Sequence, residues 1–281
     1  MLIAPIHRQY GFTLMELAVV LMIVGLLLGG LFIPLSSQRD LQGRQTTEKA
    51  LADIREALIG FAVINGRLPC PAQANISDND PTVPNNAGVE AVTPSGICAC
   101  VATSATPSDP GIAQIGATPC HNTLLSTDTT VGGVLPWVTL GLLETDATGN
   151  RYTYQVDSFF ARGIDPNQAY FSGSCNPPNK PQLAAFALCT TGNIGIYSMA
   201  DVAHRQTLAS GVSAVVVSHG KNGLGAYTSL GGRITPDVAG DEFENSNGDA
   251  TFVSNTSIDD QLVWIPTFLL MNRMIAAGKL P

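Results

Sequence analysis

The chain has 281 residues and a formal net charge of -8, with only 13% of its residues charged. That balance excludes a nucleic-acid-binding surface, which needs clustered Lys and Arg; His7-Arg8 and the stretch from Arg39 to Arg44 are too short to supply one. Aromatic residues are 6% of the chain, so small-residue loops on a modest core are expected.

The first element runs from Phe12 to Ile33 and contains a single charge, Glu16. Roughly 20 apolar residues in a helix cross a ~30 Å hydrocarbon layer, so a transmembrane helix over 12–33 is expected. The preceding residues, 1–11, carry Arg8 and His7 and no acid. The positive-inside rule places them in the cytoplasm as a leader and puts the rest of the chain outside. A secretory signal peptide does not fit, because the apolar run is too long, no A-x-A-like site follows it, and an acid sits inside it. An acid within a membrane helix costs on the order of 2–3 kcal/mol and needs a partner. No basic residue in the span offers one. A cut between Gly11 and Phe12 would create an α-amine one helical turn before Glu16, where the two charges can meet within one helix or between neighbours.

The string Gly11-Phe12-Thr13-Leu14-Met15-Glu16 closely resembles the class III cleavage and methylation motif of type IV prepilins and type II secretion pseudopilins. The resemblance implies that a membrane prepilin peptidase cuts after Gly11 and N-methylates Phe12. It also implies that Glu16 pairs with the terminal amine of an adjacent subunit during filament assembly.

Pro34 interrupts the apolar run and resembles the helix kink of these filament proteins. Beyond it, residues 34–66 read as an amphipathic stalk helix, with Leu41, Leu51, Ile54, Leu58, Phe61 and Val63 or Ile64 on one stripe and Asn65-Gly66 as its stop. The globular domain, 67–281, opens with a stretch from Leu68 to Val134 that has no aromatic residue and cannot build a core of its own. It reads as a long irregular excursion stapled by Cys70, Cys98, Cys100 and Cys120. With Cys175 and Cys189 these form an even set of six, expected as disulfides in an exported body. Cys98-x-Cys100 has no matching CxxC and His121 is isolated, so a zinc site is not the reading.

Strands are expected at Arg151–Val156 and Gly211–Ser218. A hairpin is expected from Leu183–Cys189 and Ile194–Met199 around Thr191-Gly192-Asn193, with Cys175 and Cys189 available to pair. The chain closes with a strand at Leu262–Ile265 and a helix capped by Gly278. The fold class is therefore α+β: a long N-terminal helix, transmembrane and then amphipathic, packed on an antiparallel β-sheet with a disulfide-stapled loop region. The resemblance makes that fold pilin-like.

Asp146-Ala-Thr148-Gly149-Asn150-Arg-Tyr152-Thr-Tyr154 is similar to the D-x-W-G-x-x-Y-x-Y segment of the major pseudopilins, with Thr148 in place of tryptophan. Ser218-His-Gly220-Lys-Asn222-Gly223 and Asp259-Asp260-Gln-Leu-Val-Trp264 resemble the elements that enclose a calcium ion there. That implies oxygen ligands for Ca²⁺ from Asp259, Asp260, Asp241 and Asn222. Asn222 stands where the family has an aspartate, and the segment from Tyr227 to Ser257 is inserted.

No constellation supports an enzyme. Ser218 and His219 are adjacent on a strand and diverge, Gly220–Gly225 lacks the phosphate-loop order, and Asp241–Asp249 lacks the glutamate that ends an EF-hand. The expected function is a structural subunit of a type II secretion pseudopilus or type IV pilus. It would be anchored by a single span in the bacterial inner membrane, its body in the periplasm, with prepilin peptidase and other pilin subunits as partners. A minor pilin acting as an adhesion or binding module at a filament tip is the alternative.

Overall fold

The computed structural model describes residues 13–77, 87–92, 98–101, 115–119, 130–164 and 183–280, with side chains outside 27–37, 99–101, 115–119 and 130–131. The chain divides into two compact units, Met1–Gln45 and Thr46–Pro281.

Helix α1, Leu14–Asn65, contributes to both units. It continues through Pro34, so the proline removes one backbone hydrogen bond without ending the helix. In the first unit its apolar residues from Leu14 to Leu26 are exposed. Among the described residues no helix is long and apolar enough to cross a membrane. Phe12 and the side chains of 27–33, which the expected span includes, lie outside the described residues.

In the second unit α1 buries Leu51, Ile54, Leu58, Ile59 and Ala62 in the main core, beside Tyr152, Tyr154, Val156, Ala214, Val216 and Ile265 from the sheet. Leu51, Ile54 and Leu58 were legible in the stripe, whereas Leu41 and Ile64 are exposed and Phe61 is half-buried. The buried line advances by three and four residues through Ala62, which turns Ile64 away from the sheet. The helix stops as expected. Gly66 has φ +73°, and a Cβ there would lie 2.2 Å from the Leu183 carbonyl oxygen.

The remaining elements are β1 (Ala99–Val101), β2 (Ile115–Pro119), β3 (Thr130–Val134), α2 (Trp137–Leu140), β4 (Asn150–Arg151), β5 (Thr153–Asp157), α3 (Ser158–Ala161), β6 (Ile194–Tyr197), β7 (Thr207–Ser218), β8 (Tyr227–Thr228), α4 (Asp241–Glu244), β9 (Thr251–Val253), β10 (Gln261–Pro266) and α5 (Thr267–Ala276). The main sheet has the order β3-β5-β7-β6-β9, with β10 also on β7. Its pairs are antiparallel except β6 with β9. The fold is thus mixed α+β, with one parallel pair where an antiparallel sheet was expected. The apolar run 211–218 lies within β7, which is held between β5 and β10 at Val215. Strand β10 and helix α5 stand where the sequence puts them, and Gly278 (φ +70°) closes α5.

Two strand expectations fail. Residues 151–156 do not form one strand: β4 pairs with β8, whereas β5 joins the main sheet. The hairpin around Gly192 is also absent, because 183–189 is not a strand and β6 pairs with β7 and β9. Those residues serve the core instead. Phe186 packs on Phe160 at 4.8 Å between ring centroids, and Ala185 donates its N–H to the Gly66 carbonyl at 2.8 Å.

The described parts of the excursion have little core of their own. Ala72, Ala74, Ile76 and Ala87 cluster with Val134 around Trp137 and Tyr227 from elsewhere in the body. Arg67 anchors the excursion through a two-pronged ion pair with Glu90, 2.8 Å at each prong. A disulfide joins Cys70 to Cys98. Cys189 is disulfide-bonded as well, and no described cysteine is free. Cys120, Cys175 and the side chain of Cys100 lie outside the described residues.

Candidate functional site

Gly11 and Phe12 lie outside the described residues; Thr13, Glu16 and the start of α1 lie within them. Thr13 stands immediately before the helix. Its carbonyl accepts the first helical hydrogen bond, from Leu17 N–H at 3.2 Å. The Thr13 hydroxyl oxygen accepts from Glu16 N–H at 3.3 Å, and Glu16 Oε2 accepts from Thr13 N–H at 3.4 Å. This reciprocal pair is a capping box, and it sets the carboxylate at the positive end of the helix dipole. Glu16 therefore has an intrachain role besides the one its charge implied. Its signature, T-x-x-E before an apolar run, is present at Thr13–Glu16 but is overshadowed by the acid itself.

In the body, the end of β7 collects the polar groups that the sequence singled out. The Asp146 carboxylate is nearly buried and accepts from Thr148 N–H (2.8 Å), the Thr148 hydroxyl (2.6 Å), Asn150 N–H (3.1 Å) and the Ser218 hydroxyl (2.6 Å). Thr148, where the resembled family has tryptophan, thus completes a turn. Ser218 and His219 engage different partners, as adjacent strand residues should. His219 Nε2 lies 2.8 Å from the Thr153 hydroxyl. Its Nδ1 faces Asp260 Oδ1 at 3.9 Å, and neither of those buried atoms has a hydrogen-bond partner. Burial, helped by Arg233, pushes the imidazole down to about 4. Burial, helped by Glu242 and Asp259, pushes the Asp260 carboxyl up to about 7.

The four residues named for calcium are not all brought together. Asp259 Oδ2 accepts from Lys221 and Asn222 N–H at 2.7 and 2.9 Å, and its Oδ1 is buried without a partner. Gly220 permits this approach, because it has φ +58° and a Cβ there would sit 2.5 Å from the Asp259 carbonyl oxygen. Asn222 turns its amide NH₂ towards Glu242 at 3.0 Å, and its oxygen accepts from Leu224 N–H. Asp241 is committed elsewhere, accepting from Ala200 N–H (2.7 Å) and Asn255 (2.6 Å). Glu242, which the sequence offered only within the Asp241–Asp249 stretch, stands near Asp259 instead, and burial pushes its carboxyl up. Among the described residues no group of three His, Cys, Asp or Glu could hold a metal ion.

Comparison with known proteins is informative at one end of the chain. Residues 6–32 match the prokaryotic N-terminal methylation motif. No curated protein and no solved structure matches the chain.

Proposed function

With residues 6–32 as the class III signal of type IV pilins and pseudopilins, we propose that the chain is a structural subunit of a pilus-like filament. In this reading prepilin peptidase cuts between Gly11 and Phe12 and methylates Phe12. The helix holds the subunit in the inner membrane and then packs with those of other subunits, leaving the body in the periplasm. The motif match carries the reading, and the exposed apolar row from Leu14 to Leu26 supports it, since such a row needs lipid or other helices to cover it. The unshared side of Glu16 is then available to the amine of a neighbouring Phe12. The role is structural rather than catalytic. Within it, the stretch from Leu68 to Val134, which has no aromatic residue, supports a tip-located minor pilin with a binding body as the alternative.

Co-expression with a prepilin peptidase is expected to remove the 11 leader residues and leave N-methyl-Phe12, read by mass spectrometry. An uncut chain, or one cut beyond Ile33, overturns the reading. Glu16→Ala is expected to be cut but to enter filaments poorly; normal incorporation removes the pairing role.

A second reading concerns a cation in the body. Asp259 Oδ1 and Asp260 Oδ1 are buried without partners. Burial pushes the Glu242 and Asp260 carboxyls towards protonation, and the neighbouring Asp259 charge adds to it. Hard oxygens of this kind suit Ca²⁺ in chemistry; with Asp241 committed to Ala200 and Asn255 and no group of three carboxylates gathered among the described residues, backbone carbonyls and water would complete the ligand set. Ca²⁺ against chelator at neutral pH is expected to raise the thermal midpoint by several degrees where Mg²⁺ does not, and an unchanged midpoint removes this reading.

A further inference from the structure

We propose that Asn247 is a self-modifying residue: attack by the Gly248 backbone nitrogen converts its amide to a carboxylate and releases a clamp between α4 and β9. The site lies in the body and is independent of the prepilin reading. The chain holds three Asn-Gly pairs, at 65–66, 222–223 and 247–248. Asparagine is thermolabile, and a following glycine, lacking Cβ, lets its backbone nitrogen close on the side-chain amide. In the reaction the bond from Gly248 N to Asn247 Cγ forms as the Cγ–Nδ2 bond breaks. Ammonia leaves carrying the glycine N–H proton. Water then opens the cyclic imide to aspartate or isoaspartate, so no other reactant is needed.

The structure separates the three pairs. Asn65 ends α1, where Gly66 N–H is bonded to the Ala62 carbonyl at 2.7 Å and Asn65 Nδ2 donates to the Phe61 carbonyl at 2.9 Å. Gly223 is buried, with its N–H on the His219 carbonyl at 3.0 Å. Gly248 is exposed, has φ +83° and stands between α4 and β9, outside helix and strand. Ring closure there requires no helix end to unwind.

The amide that would be lost is a bridge. Asn247 Nδ2 donates to Glu244 Oε2 at 3.1 Å and to Asp249 Oδ2 at 3.0 Å, so one neutral donor holds two carboxylates together. No Lys, Arg or His occurs between Arg233 and Arg273 to share that task. Burial and the Asp249 charge push the Glu244 carboxyl up; the Asn247 bond opposes them, with Arg205 a smaller aid. Asp249 in turn fixes the approach to β9. Its Oδ1 accepts from Thr251 N–H at 2.6 Å, and its carbonyl accepts from Gln155 Nε2 of β5 at 2.6 Å. A carboxylate at 247 loses both donated bonds and faces two like charges, which drives Asp249 and the start of β9 away from Glu244.

The test is to hold the purified full chain in mildly alkaline buffer and follow each asparagine by peptide mass spectrometry. Asn247 is expected to convert several-fold faster than Asn222 or Asn65. The converted fraction, separated by anion exchange on its added charge, is expected to unfold a few degrees below the unconverted one. Asn247→Asp is expected to share that shift, and the separated fraction supplies the measurement without requiring the variant to fold. Conversion of Asn65 at an equal or faster rate overturns the inference. So does an Asn247 that stays intact in the folded chain while converting in urea. A converted fraction with an unchanged midpoint overturns the clamp.

Discussion

Replacing Arg151 with methionine is expected to destabilise the body by about 3–5 kcal/mol, the cost of stranding the partners of a buried charge. Arg151 is fully buried. Its Nη1 donates to the carbonyls of Ala74 (3.0 Å) and Ile76 (2.7 Å), its Nη2 to that of Ser229 (2.9 Å), and its Nε to Glu144 Oε1 (2.8 Å). The guanidinium also lies over the Trp137 ring, 4.7 Å from its centroid. One side chain therefore joins the excursion, the β4–β8 ribbon and the turn before β4. Methionine fills the volume but leaves three carbonyls and a carboxylate without these donors. Lysine is expected to recover less than half the loss, because a single ammonium cannot reproduce a planar fork. Urea unfolding monitored by tryptophan fluorescence would measure both, and a loss under about 1 kcal/mol for methionine would show that water replaces the fork. Adding Glu144→Gln to methionine should cost less than the two changes separately, since one interaction cannot be lost twice. Cleavage at Gly11 is expected to be unaffected, because the signal lies in the other unit.

Arg151 also shows where sequence reasoning stops. Alternation around Tyr152 and Tyr154 marked a strand and gave Arg151 no partner. Nothing local announces that Ala74, Ile76 and Ser229 point carbonyls at one spot, since those contacts span 77, 75 and 78 residues of chain. Features governed by neighbours in sequence were legible: the stop at Asn65-Gly66, the closing strand and helix, and the apolar stripe at Leu51, Ile54 and Leu58. The hairpin at Gly192 failed because two apolar runs flanking a turn do not declare whether they pair with each other. Phe186 is instead committed to the core against Phe160. The processing signal was legible because a peptidase reads a linear string, which must be explicit in sequence. The acid cluster was only half legible: Asp259 and Asp260 stood out, while Glu242 arrives through the segment from Tyr227 to Ser257, whose course no local pattern sets.

The buried pair His219–Asp260 is expected to reveal itself by opposite pH dependences when either partner is removed. The unfolded values are ordinary, 6.5 for the imidazole and 3.8 for the carboxyl. In the folded chain the imidazole falls to about 4 and the carboxyl rises to about 7. Between about pH 4 and 6.5 the unfolded chain carries one proton, on His219, and the folded chain also carries one, on Asp260. Stability depends on pH only through the difference in bound protons, so the pair contributes almost no slope across that window. His219→Gln leaves a carboxyl whose folded value is raised. The folded state then binds the extra proton, and stability relative to wild type falls as pH rises from about 4 towards 6.5. Asp260→Asn leaves an imidazole whose folded value is depressed. The unfolded state then binds the extra proton, and stability relative to wild type climbs over the same window. Each change is on the order of 3 kcal/mol from end to end, since one proton of difference between the two states is worth about 1.4 kcal/mol for every pH unit crossed. The measurement is urea unfolding of the three proteins at several pH values, with chelator present so that no cation substitutes for the proton. Parallel pH profiles would mean that the two groups titrate with water rather than with each other, and that the 3.9 Å gap is filled by solvent.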